Sequence, residues 1–360
     1  HRVRLLLAFE DAGVPLEALL DASRVGTISL RYYDELHAPP GLLSDRSYAE
    51  FTASLVEGRE FVSRLFAAFG LAEPEPGSRL TLADERLIAD MLATVVETGQ
   101  PDLALRTIRL FGDGARRAAD GALGIYGEAA ARAGDNLQGL PTDELFEALL
   151  RPWARFARRS GTLAEWLASR HLSRAIDEYS VSETERILED AGFVAPRLDV
   201  PPAIAFVDLT GFTRMTEERG DEVAAATALR LGEVTTDTVD RQGGRIVKLL
   251  GDGVLIRFAA VGAAVAGSLD LMDALPAAGL PTAHAGVAAG PLIVREGDVF
   301  GRTVNLAARI ADIAPDGHLY APEAVASRLV ADRFLITRAG EPHLPGIGAV
   351  ALVDVGRPEG

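Results

Sequence analysis

The chain has 360 residues, of which 48% are apolar and 24% are charged, and its formal net charge at pH 7 is −16. This composition is typical of a globular protein long enough for two domains, and the acidic balance argues against a general nucleic-acid surface. The absence of cysteine excludes a disulfide framework, thiolate catalysis and a cysteine-type zinc site, which favours a cytoplasmic protein.

The length of the apolar runs bears on membrane attachment. No run approaches the ~20 residues that span a bilayer, so we expect no membrane span in the chain. The sequence begins at His1 rather than Met, which leaves open an upstream segment. Any polyphosphate ligand of so acidic a chain needs local cations, either metal ions or converging arginines.

The first part of the chain is predicted to be helical. Apolar residues recur there at spacings of three and four, and Gly and Pro residues separate the stretches. We therefore expect an all-α domain over residues 1–158. The predicted helical stretches are 3–9, 16–20, 51–69, 80–96, 103–126 and 143–157.

One stretch near the N-terminus, TISLRYYDEL at 27–36, resembles part of the MerR-type helix-turn-helix regulators. Residues 1–60 carry six arginines against ten acidic residues, whereas a DNA-reading module normally shows the opposite balance. We expect a helix-packing element there and no nucleic-acid partner, with a DNA-binding regulator as the alternative.

A helical connector is predicted over 159–198. Gly161 precedes a helical pattern from 163 to about 188, and prolines at 196, 201 and 202 end it. His171 lies on this connector, and histidine is the side chain that most readily titrates near neutrality. His171 is therefore a candidate regulatory residue for a pH or small-molecule signal, and an ordinary solvated histidine is the alternative.

From Pro202 onward short apolar runs alternate with helical stretches. The order strand, helix, strand, strand, helix, strand predicts an α+β domain of the ferredoxin-like (βαββαβ) class over 199–360, a class that hosts many functions. The predicted strands are 203–208, a hairpin over 245–258, 282–289 and three more near 317–320, 334–338 and 349–354. The predicted helices are about 219–241, 260–275 and 303–313.

Two carboxylates lie where apolar strands of this domain end. Asp208 follows a five-residue apolar run, and Asp252 lies in the Gly-Asp-Gly turn of the predicted hairpin. A bare carboxylate there is costly unless it is paired or metal-bound, so a hard cation is the natural partner. Lys248 is the only lysine among 36 basic residues, which suggests that a compact point donor is required beside Asp252; chance is the alternative.

A third polar group follows further along the chain. Asn305 and Arg309 lie four residues apart on a predicted helix and hence on one face. Gly301 loosens the turn before that helix, and Asp298 is expected on the incoming loop. The pair suits a sugar and a phosphate, although such pairs are usually no more than solvated.

Taken together, the three stretches AIAFVDLTGFT, RIVKLLGDGVLIRF and GDVFGRTVNLAARI resemble the catalytic domain of class III nucleotidyl cyclases. The resemblance covers about residues 201–356. It implies that Asp208 and Asp252 hold two Mg²⁺ or Mn²⁺ ions. It also implies purine recognition by Lys248 and Asp298, with Asn305 and Arg309 orienting the ribose and stabilising the transition state.

The resemblance implies an adenylate cyclase that converts ATP into 3′,5′-cyclic AMP and pyrophosphate. Adenine presents N1 as an acceptor and N6 as a donor, which suits Lys248 and Asp298, and guanine reverses that pattern. The loop amides from 209 to 213, which include those of Gly211, Phe212 and Thr213, are expected to face phosphate oxygens. A guanylate cyclase and a non-catalytic, dimeric ATP-binding sensor are the alternatives.

The family resemblance also implies a homodimer with two equivalent sites at its interface. Members often carry a basic residue near the C-terminal strands that contacts the triphosphate, whereas 340–350 has none. Arg338 and Arg295 are the candidate substitutes. The N-terminal half is similar in layout to the helical regulatory domains of mycobacterial-type cyclases, which implies regulation by that half.

Overall fold

In the computed structural model, the described residues are 2–25, 41–55, 58–137, 151–194, 201–330 and 333–358. The chain forms two compact units, His1–Arg186 and Ile187–Gly360. The RYYDEL stretch and residues 143–150 of the last predicted helix of the first domain lie outside the described residues. In the described part, none of the helices combines the length and the hydropathy that a membrane span requires.

The first unit is built from helices, as the sequence predicts. Two of its helices begin at capping boxes, in which Ser47 pairs with Glu50 and Thr81 with Asp84. The helices are α1 (Arg2–Asp11), α2 (Leu16–Arg24), α3 (Tyr48–Ala53), α4 (Gly58–Phe69), α5 (Leu82–Thr98), α6 (Pro101–Leu137) and α7 (Arg151–Asp190).

The single helix predicted over 51–69 is wrong, because α3 ends at Ala53 and α4 begins at Gly58. The hydroxyl of Ser54 donates to the carbonyl of Phe51 at 2.6 Å. This bond occupies a carbonyl that a continuing helix would use. The spacing of apolar residues runs through the break because both helices bury residues in the same core.

The core of the first unit lies between α3, α4, α5 and α6. Val62 and Leu65 of α4 are completely buried there. Gly112 of α6 lies against the end of α4, and a Cβ at this position would be 2.7 Å from the carbonyl oxygen of Ala68. Glycine is therefore what allows the two helices to approach so closely.

Helix α7 runs unbroken over 40 residues, so the break expected at Gly161 is wrong. One glycine costs a helix about 1 kcal/mol relative to alanine, which is too little to end a helix rich in Ala, Leu, Arg and Glu. Every residue of α7 from 155 to 182 is exposed. These include the apolar side chains of Leu172, Ile176 and Tyr179.

The second unit is organised around a seven-stranded sheet with the order β2-β3-β1-β4-β7-β11-β8. The strands are β1 (Ala203–Leu209), β2 (Arg245–Leu249), β3 (Gly253–Phe258), β4 (Ala283–Ala289), β5 (Ile293–Arg295), β6 (Asp298–Phe300), β7 (Leu319–Pro322), β8 (Leu335–Gly340), β9 (His343–Leu344), β10 (Gly348–Ala349) and β11 (Leu352–Gly356). Strand β1 pairs antiparallel with both β3 and β4. The order β2-β3-β1-β4 confirms the predicted ferredoxin-like arrangement.

The helices of the second unit are α8 (Phe212–Arg219), α9 (Asp221–Val239), α10 (Val261–Ala277), α11 (Arg302–Ala311) and α12 (Glu323–Ala326). Helix α8, which begins directly after Gly211, is not predicted from the sequence. The β5–β6 hairpin is not predicted either, and Asp298 is the first residue of a strand rather than part of a loop.

Helix α11 packs unusually closely on the sheet. A Cβ at Gly286 of β4 would lie 2.3 Å from the carbonyl oxygen of Ala307 and the amide nitrogen of Ala311. Glycine at 286 therefore lets the helix backbone rest on the strand. The buried face of α11 includes Ala307 and Ile310, whereas Asn305 and Arg309 are exposed.

Candidate active site

Asp208 and Asp252 come together at one end of the β1–β3 pair. Asp208 is the register partner of Gly253, and the amide of Leu209 donates to the carbonyl of Asp252 at 2.9 Å. A Cβ at position 253 would lie 2.6 Å from Oδ1 of Asp208. Glycine at that position therefore leaves room for the carboxylate.

The electrostatics of this pair favour a cation. Burial raises the pKa of Asp208, and the charge of Asp252 raises that pKa further. Among the residues that the structure describes, no group of three or more potential ligands could hold a metal ion unaided. Mg²⁺ usually takes only one or two carboxylates together with substrate phosphates. Two converging carboxylates therefore fit an ion that the substrate helps to bind.

Lys248 and Asp298 lie side by side. Nζ of Lys248 donates to Oδ2 of Asp298 at 2.5 Å, and Oδ1 of Asp298 accepts from the amide of Val299 at 2.9 Å. The bond from Lys248 is the main reason why the pKa of Asp298 lies below its ordinary value. Lys248 and Asp298 therefore form a cationic hydrogen-bond donor directly beside an ionised acceptor.

A β-bulge sets the direction of Lys248. Ile246 pairs with Ile256, but Lys248 pairs with Leu255, so Val247 is the extra residue. A bulge of this kind re-aims the side chains that follow it.

Asn305 and Arg309 lie on the outward face of α11, as their spacing predicts. Nη1 of Arg309 donates to Oδ2 of Asp312 at 3.0 Å. The charge of Asp312 also contributes to the raised pKa of Asp208. Arg309 therefore has an intrachain partner in this structure.

Two of the predicted phosphate-binding amides are already hydrogen-bonded within the fold. The amide of Leu209 donates to Asp252, and the amide of Thr210 donates to the carbonyl of Thr282 at 2.8 Å, so both are already used. Gly211 has φ +74 and is the N-cap of α8. The first-turn amides of a helix have no partner within it, so Phe212 and Thr213 retain the geometry expected of anion donors.

Comparison with known proteins gives the family. No protein-family model matches the chain. The chain is 30% identical over 305 residues to an adenylate cyclase of Streptomyces coelicolor, an alignment that covers 81% of this chain and 74% of that protein. The chain belongs to the class III adenylate/guanylate cyclase family. It is therefore a nucleotidyl cyclase, a lyase, and members of this family generally depend on a divalent metal.

Two further comparisons are with a second relative and with a solved structure. The cyclase is 27% identical over 355 residues to a Mycobacterium tuberculosis protein named pH-sensitive adenylate cyclase, covering 90% of this chain and 84% of that protein. The crystal structure of the adenylyl cyclase CyaB from P. aeruginosa aligns at 18% identity with a TM-score of 0.40, over 44% of this chain and 95% of that chain.

The two candidate triphosphate contacts of the cyclase lie in different places. Arg295 ends β5 and is the register partner of Asp298, so it lies beside the Lys248–Asp298 pair. Arg338 lies on β8, the edge strand farthest from β2 in the sheet order. Arg295 therefore lies near the residues assigned to the purine, and a triphosphate contact by either arginine stays a prediction.

His171 of the cyclase lies on the exposed part of α7. It belongs to the first unit, and nothing in the described structure places it in the site. Its regulatory role stays a prediction.

A cluster of polar side chains beside Asp208 was not predicted from the sequence. His284 on β4 is the register partner of Asp208, and its Nε2 lies 3.8 Å from Oδ2 of Asp208. Nδ1 of His284 contacts Oγ1 of Thr210 at 3.4 Å, and Thr210 donates to Oδ1 of Asp316 at 2.7 Å. One signal was available, because His284 is the only residue other than Ala, Gly and Val in β4.

Proposed function

We propose that this cyclase is an adenylate cyclase, which converts ATP into 3′,5′-cyclic AMP and pyrophosphate. The observation that carries the proposal is the 2.5 Å pair between Lys248 and Asp298. Adenine N1 accepts and the N6 amino group donates, so a cationic donor beside an ionised acceptor matches that edge. Guanine presents a donor at N1 and an acceptor at O6. In the same orientation, Lys248 would face the donor and Asp298 would face the acceptor, so neither hydrogen bond could form.

In the proposed reaction, the ribose 3′-hydroxyl attacks the α-phosphorus and the bond to pyrophosphate breaks. Asp208 and Asp252 would hold the divalent ions, two Mg²⁺ or Mn²⁺ per site. When bound, such ions lower the pKa of the attacking hydroxyl and neutralise the leaving group.

Other residues of the chain would position the substrate. The amides of Phe212 and Thr213 would donate to phosphate oxygens, and Asn305 would orient the ribose. Arg309 would leave Asp312 and place its charge on the α-phosphoryl group, where negative charge grows in the transition state. Arg295 or Arg338 would contact the triphosphate.

The proposed active form is a homodimer, in which the carboxylates of one copy face Asn305 and Arg309 of the other. The exposed apolar side chains of α7 support association. Leu172, Ile176 and Tyr179 follow one another at spacings of four and three, and they are 54%, 53% and 70% exposed. Such a stripe is typical of paired helices.

The first unit is proposed to regulate the second. A cavity of about 510 Å³ between α6 and α7 has an almost wholly apolar lining that includes Leu123, Tyr126, Trp153 and Phe156. It supports an apolar small molecule as one signal. The M. tuberculosis relative named pH-sensitive adenylate cyclase supports proton concentration as another, with His171 as the candidate sensor.

The first test is cyclic AMP formation by the purified chain with Mn²⁺ and ATP. We expect Asp252→Ala to abolish it and Asp237→Ala, which removes an exposed carboxylate of α9, to leave it unchanged. Preferential turnover of GTP would make the enzyme a guanylate cyclase. ATP binding without turnover would favour the alternative of a non-catalytic sensor.

Regulation is tested with residues 196–360 alone. A specific activity that differs from that of the full chain supports a regulatory first unit. Equal activity at every pH and lipid condition would contradict it.

A further inference from the structure

Thr303 is the second residue of α11, and only 7% of it is exposed. Its hydroxyl donates to the carbonyl of Pro291 at 2.9 Å, twelve residues back in the chain. The segment between these two residues contains the whole β5–β6 hairpin. The bond therefore closes the open end of the hairpin at the point where α11 begins.

Gly290 provides the space for this hydroxyl. A Cβ at Gly290 would lie 2.8 Å from Oγ1 of Thr303. The amide of Gly290 donates to the carbonyl of Pro202 at 3.1 Å, next to the start of β1. The acceptor of the bond from Thr303 therefore belongs to a segment that is fixed on the central sheet.

The hairpin requires such an anchor because β5 and β6 form a two-stranded sheet of their own. Val299 of β6 packs in a buried cluster with residues of the main sheet, and Lys248 of β2 donates to Asp298. A purine that binds as proposed would take over both partners of that second contact. The packing of Val299 and the bond from Thr303 would then continue to hold the hairpin.

The bond also fixes the beginning of α11. The N-cap of this helix is Gly301, which has no side chain to accept from the first-turn amides. Further along the helix, close backbone contact with Gly286 fixes its position on β4. Thr303 therefore anchors the other end of α11, two residues before Asn305 and six before Arg309.

We propose that Thr303 is a positioning residue of the cyclase. Its bond across the open end of the hairpin sets the spacing between Asp298, which reads the purine, and the helix that carries Asn305 and Arg309. One contact thereby aligns the purine with the groups that act on the ribose and the α-phosphate. The inference rests on the proposed function, because the roles of those three residues are assigned there.

The direct test compares Thr303→Val with the wild type, in the full chain with Mn²⁺ and either ATP or GTP. Valine has nearly the same shape as threonine but cannot donate a hydrogen bond. We expect kcat for ATP to fall about tenfold and the ratio of the kcat/KM values for ATP and GTP to fall about fivefold. An unchanged ratio or an unchanged kcat overturns the proposal.

The matched control is Thr238→Val. Thr238 is 4% exposed and its hydroxyl donates to the carbonyl of Val234 at 2.7 Å, within a helix that packs against α10. This variant therefore loses the same kind of buried hydroxyl, and we expect both kinetic values to stay within about twofold of the wild type. Losses equal to those of Thr303→Val would show a general effect of losing a buried hydroxyl and would overturn the proposal.

Thr303→Ser separates the hydrogen bond from the packing of the methyl group. Serine keeps the donor, so we expect most of the preference for ATP to remain. If Thr303→Ser lowers the ratio as much as Thr303→Val does, the methyl group is what matters and the proposed role of the bond is wrong.

Gly290→Ala attacks the same bond from the other side. Its Cβ must displace the hydroxyl of Thr303, so we expect the kinetic losses of Thr303→Val, and little further loss when the two changes are combined. Full additivity would contradict a shared bond. Circular dichroism checks the folding of each variant, and Gly290→Ala decides the question if Thr303→Val does not fold.

The wild type separates this inference from the proposed function. A wild type that forms no cyclic AMP, or that prefers GTP, refutes the proposed function and this inference with it. A wild type that prefers ATP, together with a Thr303→Val variant that behaves in the same way, leaves the proposed function standing and refutes only the role of Thr303.

Discussion

Lys248 and Asp298 lie 50 residues apart in the chain and meet at 2.5 Å through a bulge in β2. The bulge at Val247 turns the only lysine of the chain toward the first residue of β6. The two side chains therefore satisfy each other before any ligand arrives. A purine that replaces this bond must offer an acceptor to Lys248 and a donor to Asp298.

The first prediction concerns base selection. Asp298→Asn replaces an acceptor-only group by an amide that also donates, so it should lower the preference for ATP over GTP. We expect a loss of about 10- to 100-fold in the ratio of kcat/KM values, the range of one charge-assisted hydrogen bond. Asp237→Asn, on the exposed face of α9, is the control. An unchanged ratio would show that Asp298 does not read the base.

The second prediction concerns the space beside Asp208. Gly253→Ala places a Cβ 2.6 Å from Oδ1 of Asp208, so the carboxylate must turn away. We expect Mn²⁺ affinity to fall by about tenfold or more while circular dichroism stays the same. Gly262→Ala is the matched control, because a Cβ there has no atom within 4 Å. Calorimetric titration with Mn²⁺ measures both variants, and equal affinities would count against Asp208 as a ligand.

The third prediction follows from the raised pKa of Asp208. Burial, and then the charge of Asp252, raises this pKa, so the folded state binds the proton more tightly than the unfolded state. Stability therefore falls as pH rises from the unfolded-state pKa through the raised value. At pH 7 the metal-free Asp208→Asn protein should melt about 1–3 °C higher than the wild type, a small gain because the carboxylate is partly exposed.

Two comparisons check the origin of that difference. It should shrink at acidic pH, where Asp208 is protonated. Adding Mn²⁺ should raise the melting temperature of the wild type more than that of the variant. A metal-free variant that is less stable than the wild type would contradict the assigned cause.

The fourth prediction concerns the first unit. Burial, and then a hydrogen bond to Glu73, raises the pKa of Tyr48 to about 12. The folded state therefore keeps this proton longer, and the stabilisation is fully present below the ordinary tyrosine pKa of about 10 and lost toward pH 12. Urea unfolding at pH 8 and pH 11 should show the loss, and Tyr48→Phe should reduce it.

The composition leaves few other groups that titrate in this pH range. Arginine remains charged throughout this range, and Lys248 is the only lysine. Few groups other than tyrosines therefore titrate between pH 8 and pH 11, and absorbance at 295 nm follows the ionisation of all six tyrosines. If the wild type and Tyr48→Phe lose equal stability between pH 8 and pH 11, the assignment to Tyr48 is wrong.

The fifth prediction concerns association through α7. Ile176→Glu places a charge in the exposed apolar stripe, so we expect the dimer dissociation constant to rise at least about tenfold, with loss of activity. Arg174→Glu, on the face of the same helix opposite the stripe, should leave both unchanged. Sedimentation of the full chain measures the dissociation constant. Equal behaviour of the two variants would exclude this stripe as the interface.

The sequence alone predicted the features that depend on local patterns. Apolar spacing indicated most of the helices, and the alternation of strands and helices indicated the ferredoxin-like order. The turn at Asp252 and the shared helix face of Asn305 and Arg309 could also be predicted, because each depends on a few neighbouring residues. The family followed from three short stretches.

Only the tertiary structure decided what depends on pairing between distant strands. The bulge at Val247 requires β3 as a partner, and the three-residue strands β5 and β6 carry too little pattern to be detected. The amides of Leu209 and Thr210 were assigned to phosphate until the fold paired them with other backbone groups. His284 became part of the site because the register of β1 and β4 sets it opposite Asp208. Register is a non-local property, and one residue of slip would place His284 on the other face of the sheet.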